Sequence, residues 1–216
     1  MLNGNRMKSN RKRSPRDYYQ TPEELVRAAI TKVHKDEEIA YRYGGIDVLD
    51  AGCGSGVWAK ECTQLTYGGP EENDYPWITA IDIESHFISR PDLIDELIID
   101  DFLTYNFRHK FDFICGNPPY SLAEEFIRRA YDLLHEDGYI YFLLRLSFLE
   151  GIKRGRGLFK EMPLKKVYVL SRRPSFFSID GKHTTDTLAY AMFLWQKGFN
   201  QILPDLDWLD WEYEND

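Results

Sequence analysis

Apolar positions along the chain fall into short continuous runs separated by helix-length stretches of mixed polarity. IDVLD (46 to 50), WITAIDI, ELIID, FDFIC and GYIYFLLR read as strands, with helix-like WAKECTQL after the first and AEEFIRRAYDLL after the fourth. Ahead of them, TPEELVRAAITKVHK predicts a helix start, with Thr21 as N-cap, Pro22 at N1 and Glu24 at N3. This alternation predicts an α/β, Rossmann-like domain: a mostly parallel sheet with helices on both faces. After Met162 the texture changes. KKVYVL and LAYAMFLW read as two strands joined by a polar loop, Ser171 to Thr187, which predicts an antiparallel strand added at the sheet edge. The expected organisation is a disordered basic tail over 1–16, one domain over 17–203 and an acidic C-terminal tail over 204–216.

Composition narrows the function classes. The 216 residues have room for one α/β domain and are short for two, and 43% hydrophobic with 29% charged content is that of an ordinary soluble protein. No run of about 18 apolar residues exists. The richest stretch, GYIYFLLRLSFLEG, carries Arg145, and the polar N-terminus is no signal peptide, so a cytoplasmic protein with no membrane partner is expected. Cys53, Cys62 and Cys115 make no CxxC pair and the five histidines show no ligand spacing, so neither a disulfide framework nor a metal is expected.

The net charge of −8 hides an asymmetry. Arg6, Lys8, Arg11, Lys12, Arg13 and Arg16 stand together without an acid, and a second basic stretch runs from Lys153 to Lys182. The final DLDWLDWEYEND is acidic instead. Basic runs are commonly solvated surface; the second is singled out by its place after the late strands.

In parallel sheets ligands bind beyond the carboxyl ends of the strands. The residues there are Gly52, Gly54 and Gly56 after the first strand, Asp82 after the second, Asp101 and Phe102 after the third, and Asn117 to Tyr120 after the fourth. The glycine turn is G-x-G-x-G, with Val57 where a dinucleotide fingerprint wants glycine and no Lys-Ser/Thr as a phosphate loop needs. Asp50 at the mouth of the turn would repel a pyrophosphate. It favours a cofactor with a cationic centre, while Asp82 can accept hydrogen bonds from two ribose hydroxyls. S-adenosyl-L-methionine has that make-up.

VLDAGCGSG, AIDIE, DDFL and FDFICGNPPY, in this order, resemble the class I S-adenosylmethionine-dependent methyltransferases, specifically the amino-methyltransferases with an NPPY motif. YYQTPEEL ahead of the glycine turn is similar to the cofactor-closing motif of adenine-N6 DNA methyltransferases, including small phage and prophage members. The resemblance is strong over about residues 18 to 146. It implies that Gln20 and Thr21 line the methionine end of the cofactor, Gly52 and Gly54 its backbone, Asp82 the ribose, and Asp101 with Phe102 the adenine. Asn117 is expected to face the cofactor as well as the target. The chain is expected to depart from larger members in lacking a separate target-recognition domain.

The NPPY run then has a chemical reading. An aryl amine is a poor nucleophile because its nitrogen lone pair is delocalised into the ring. The Asn117 side-chain oxygen and the Pro118 carbonyl could take both N–H hydrogens and pull that nitrogen toward tetrahedral geometry, with Pro118 and Pro119 fixing them before reaction. Tyr120 offers a stacking face for a planar base, and Lys153, Arg154, Arg156, Arg172 and Arg173 are candidates to hold flanking phosphates. A target inside a duplex has to be flipped out.

Plainer readings stand beside these. The diproline could be a loop stop before Ser121 as N-cap, and Asp82 and Asp101 strand-end acids near helix N-termini. Cys53 and Cys115 fit small buried fillers, and Phe176, Phe177, Trp195 and Trp77 fit core or edge packing better than base-stacking platforms. The expected function is methyl transfer to N6 of adenine, in DNA ahead of RNA. N5 of a protein glutamine and a non-catalytic nucleic-acid-binding module are the alternatives.

Overall fold

The computed structural model describes residues 20–39, 45–66, 75–84, 88, 90–177, 183–185 and 187–212. The basic segment 1–16 lies outside the described residues. In chain order the elements are α1 (Glu23–Glu37), β1 (Asp47–Ala51), α2 (Val57–Cys62), β2 (Trp77–Asp82), β3 (Glu96–Ile99), β4 (Phe111–Gly116), α3 (Ala123–Leu133) and β5 (Leu134–Arg145). There follow α4 (Ile152–Arg156), α5 (Leu158–Glu161), β6 (Lys166–Leu170), β7 (Ser175–Phe177), β8 (His183–Thr185), β9 (Tyr190–Gln196) and β10 (Asp205–Leu209).

Eight strands form one sheet in the order β10-β6-β9-β5-β4-β1-β2-β3, and β7 and β8 make a separate hairpin inside the expected polar loop. The runs that are apolar without alternation are buried on both faces, as β4 and β9 show. One core layer lies between the sheet and α1 with α2, the other between the sheet and α3 with α5.

Two expectations about the late strands are corrected. The antiparallel strand is not at the edge: β9 lies between β5 and β6, antiparallel to both. Its side chains from Tyr190 to Trp195 are all buried, which only an interior position provides. The acidic tail is not a tail either, because residues 205–209 form β10, parallel to β6. Leu209 and Trp211 are buried, the Trp211 indole donates to Arg172 O at 3.1 Å, and Asp207 pairs with Lys32 of α1 at 2.9 Å. That lysine, hydrogen-bonded to Asp207, draws its carboxyl down to about 2.

The position of the site follows from topology. From β1 the chain runs one way to β2 and β3, and the other way to β4 and β5, so the sheet order reverses between β1 and β4. Their register places Asp50 opposite Cys115. The loop after β1 leads into α2 on one face and the loop after β4 into α3 on the other, opening a crevice at their carboxyl ends.

Candidate active site

The first wall of this crevice is the turn after β1. Gly52, Gly54 and Gly56 all have positive φ, at 80°, 52° and 77°, which a side chain would resist. Gly52 N and Cys53 N donate to Ile81 O at 2.8 and 2.9 Å, tying the turn to β2. Asp82, buried at the end of β2, completes the tie: Oδ2 accepts from Gly54 N at 2.9 Å and Oδ1 from Glu84 N at 3.1 Å. Its carboxylate therefore shapes the turn first and can meet a ribose only through remaining lone pairs. Glu84, two residues on, is exposed at the same strand end and has no signal in the sequence beyond that spacing.

Asp50 sits beneath the turn, fully buried. Its Oδ2 accepts from Ala59 N at 3.0 Å, and among the described residues Oδ1 has no hydrogen-bond partner. Burial, with the Asp82 charge adding to it and the Ala59 amide opposing it, pushes Asp50 up to about 8. The sign of the pH dependence follows. The folded chain keeps this proton up to about 8 while an unfolded chain releases it near 3.8, so the stability attached to it is whole below 3.8 and is lost as pH rises through 8. Asp50→Asn should flatten this decline. The difference in unfolding free energy between variant and wild type, read from denaturant curves, should grow by on the order of 1 kcal/mol per pH unit across that window. Parallel curves would place Asp50 in a wetter setting than the structure gives it.

The second wall is the NPPY run. Asn117 follows Gly116 at the end of β4, and its Nδ2 donates to Thr21 Oγ1 at 3.2 Å. Thr21 is buried. The N-cap expectation for it is corrected: Pro22 occupies that position without a side-chain cap, and the Thr21 hydroxyl faces Asn117, 96 residues away in the chain. With its nitrogen end held there, the amide has its oxygen on the opposite side. Pro118 and Pro119 are buried, and Leu122 N donates to Pro119 O at 2.8 Å, so the run ends in a fixed 3-10 turn that carries Tyr120.

Tyr120 is not an open stacking face. The Arg145 guanidinium lies 4.8 Å from its ring centroid, and the Tyr190 ring packs at 5.8 Å. Burial, and Tyr190 beside it, push the Tyr120 phenol well up. Phe176 is core, packed on Tyr190 at 5.1 Å; Trp195 is core, and Trp77 is exposed where β2 begins, at the opposite end from the crevice. The Phe177 side chain lies outside the described residues. Cys53 and Cys115 are buried.

Beyond β3, Asp101 Oδ1 accepts from Leu103 N at 3.0 Å and caps a tight turn. The Phe102 ring is buried, packed against Phe126 at 4.7 Å. Phe126 was not singled out by the sequence. Its ring reaches the glycine turn, where a Cβ on Gly52 would meet it at 3.8 Å. Gln20 is exposed at the start of the described chain.

Of the five basic candidates, Lys153, Arg156, Arg172 and Arg173 are exposed, and all five follow the carboxyl ends of β5 or β6. Arg154 is different. Its guanidinium donates to Phe148 O at 2.8 Å and to Glu150 O, and covers the Phe148 ring at 4.7 Å, fastening α4 to the chain leaving β5. Those contacts give Arg154 a structural use beside the expected phosphate contact. Among the described residues no group of three or more His, Cys, Asp or Glu could hold a metal ion, and no helix is long and apolar enough to cross a membrane.

No family model matches the chain. A 74-residue stretch, 34% of the chain, is 32% identical to the type II methyltransferase M.CvrRI of Paramecium bursaria Chlorella virus XZ-6E, and spans 18% of that protein. Among solved structures, a Listeria monocytogenes protein described as a class I S-adenosylmethionine-dependent methyltransferase superposes with TM-score 0.67 at 13% identity, over 91% of this chain and 67% of its own. A Pyrococcus horikoshii protein described as an RNA methyltransferase superposes with TM-score 0.65 at 14% identity, over 88% of this chain and 91% of its own. The fold is that of the class I S-adenosylmethionine-dependent methyltransferases, with a mixed parallel and antiparallel sheet.

Proposed function

We propose that the chain transfers a methyl group from S-adenosylmethionine to an exocyclic NH2, with N6 of adenine in DNA as the target. The observation that carries this reading is the Asn117–Thr21 hydrogen bond at the switch point, which fixes an amide acceptor across the crevice from the glycine turn. The cofactor fits the first wall. Positive-φ glycines let it approach the backbone closely, and a nearby cation would favour the ionised form of Asp50, whose Oδ1 has no hydrogen-bond partner among the described residues.

When bound, S-adenosylmethionine supplies an electrophilic methyl on a sulfonium sulfur. The residues of this chain act on the amine. Asn117 Oδ1 and Pro118 O each accept one N–H, which draws the nitrogen out of conjugation, and the proton that nitrogen must shed can go to water without a general base. Lys153, Arg156, Arg172 and Arg173, exposed after the carboxyl ends of β5 and β6, are the candidates to hold phosphates flanking a flipped or single-stranded target. The likeness to a type II methyltransferase supports DNA as the first choice, and the likeness to a protein described as an RNA methyltransferase keeps RNA adenine as the second.

The test is incubation with labelled cofactor and separate DNA, RNA and protein pools, followed by nucleoside and amino-acid analysis. Label in N6-methyladenine from DNA is the expected result; label only in RNA or in glutamine would replace the substrate. The cofactor is tested separately by calorimetry. Asp82→Ala removes the acceptor that shapes the turn and should weaken S-adenosylmethionine binding by about 1.5–3 kcal/mol. An unchanged affinity in a folded variant would remove Asp82 from the site.

A further inference from the structure

We infer that the rim after β5 is the surface that holds duplex DNA open at the target, with Ile152 entering the base stack where the flipped adenine leaves it. The inference rests on the DNA reading proposed above and deepens it to how a duplex is admitted. Ile152 opens α4 and is 74% exposed, and its neighbours hold it there. Gly151 has φ of 122°, the Arg154 guanidinium donates to Phe148 O and Glu150 O, Gly155 N donates to Gly151 O at 3.0 Å, and Leu158 is buried at the start of α5. An apolar side chain is thus presented to solvent on a braced turn.

The rim adjoins the NPPY run. β5 pairs with β4, Phe142 opposite Gly116, and the Arg145 guanidinium at its end lies 4.8 Å from the Tyr120 ring centroid. From there the chain passes along a hollow of about 510 Å³, with Leu146, Leu149, Leu188 and Ala189 in its wall, and reaches Ile152. Charge complementarity names the partner. Between Gly151 and Lys160 the chain carries Lys153, Arg154, Arg156 and Lys160 and no acid, and Lys153 and Arg156 are exposed beside Ile152. Those cations suit a phosphate backbone. Phosphates give no reason for an isoleucine held outward among them, whereas base faces do. Flipping a base out of a duplex leaves its neighbours unstacked and its partner unpaired, and an apolar side chain that fills the gap offsets part of that cost. A side chain already braced outward loses little freedom on entering.

The experiment uses a DNA oligonucleotide carrying an adenine that wild type methylates, as the single strand, as the duplex, and as the duplex with an abasic nucleotide opposite that adenine. Wild type, Ile152→Ala, Ile152→Met and Ile202→Ala are compared on all three. Ile152→Ala should lower kcat/KM on the duplex roughly tenfold or more, the scale of withdrawing an isoleucine side chain from an apolar seat. On the single strand it should change kcat/KM less than about twofold, as an exposed substitution that leaves the fold intact. The abasic duplex, where no pair has to be parted, should recover most of the loss. Ile152→Met keeps the apolar volume and should stay close to wild type. Ile202 is also exposed but precedes β10, at the opposite end of the sheet, and Ile202→Ala should match wild type throughout. A 2-aminopurine in place of the target adenine gives a second reading: unstacking relieves its quenching, so its emission should rise on binding wild type and rise less with Ile152→Ala. Equal losses on duplex and single strand, or no loss on the duplex, would overturn the inference. So would a wild type that methylates the single strand and not the duplex, and in each of these cases adenine in DNA stands as the substrate. If wild type methylates no DNA, the substrate reading falls and the inference falls with it.

Discussion

Asn117→Ala should lower single-turnover methylation by about 10²-fold or more while S-adenosylmethionine affinity changes far less, because the lost interaction strengthens only as the amine pyramidalises. Two acceptors are needed to take both hydrogens of one NH2, and the alanine variant leaves one, the Pro118 carbonyl. Companion variants separate chemistry from placement. Asn117→Asp keeps oxygens to accept an N–H but loses the donor to Thr21, so its defect should lie between wild type and alanine. Thr21→Val removes the other end of the same 3.2 Å hydrogen bond and should cost turnover without touching the reacting atoms. Rapid-quench assays with labelled cofactor, set beside calorimetric affinities, read each of these. Near-normal turnover in Asn117→Ala would make NPPY a structural corner, and a matching loss in affinity would move Asn117 to the cofactor.

Much of this architecture was legible because burial on both faces leaves a plain mark. FDFIC and LAYAMFLW are apolar without alternation, and they became the central strands β4 and β9. Which neighbours a buried strand takes is a long-range choice, so the place of β9 between β5 and β6 could not be read from its own residues. β10 was hidden by chemistry: Asp205, Asp207 and Asp210 gave the segment the look of a solvated tail, while Leu209 and Trp211 supplied the burial. The site divides in the same way. Glycines and prolines announce themselves through backbone geometry, and NPPY fell where its motif placed it. Thr21, Phe102 and Arg154 each carried two plausible uses, and only the folded neighbours decide between them. Arg145 followed an apolar strand with no motif around it, so its contact with Tyr120 had no local signal.

Gly116→Ala should be the most damaging single methyl addition near the site. Gly116 has φ of 146°, and a Cβ built on it would stand 2.8 Å from Ala51 O, a backbone atom of the neighbouring strand. The ends of β1 and β4 thus approach more closely at the switch point than any side chain permits, and this closeness brings Asn117 beside the glycine turn. Strain at such a φ costs about 1–3 kcal/mol, and forcing apart packed backbone costs about 1–3 kcal/mol more. That sum is a large fraction of the roughly 5–15 kcal/mol by which a domain is stable. Any variant that still folds should have its NPPY run displaced, and about 1 Å of misplacement is enough for a 10²-fold loss in rate. Gly155 provides the contrast: it lies within α4 without a positive φ, and a Cβ there meets nothing within 4 Å. Gly155→Ala should therefore leave the unfolding free energy level or raise it by up to about 1 kcal/mol, with turnover intact. Equal midpoints for the two variants, with both active, would mean that β1 and β4 do not meet as closely as Gly116 implies.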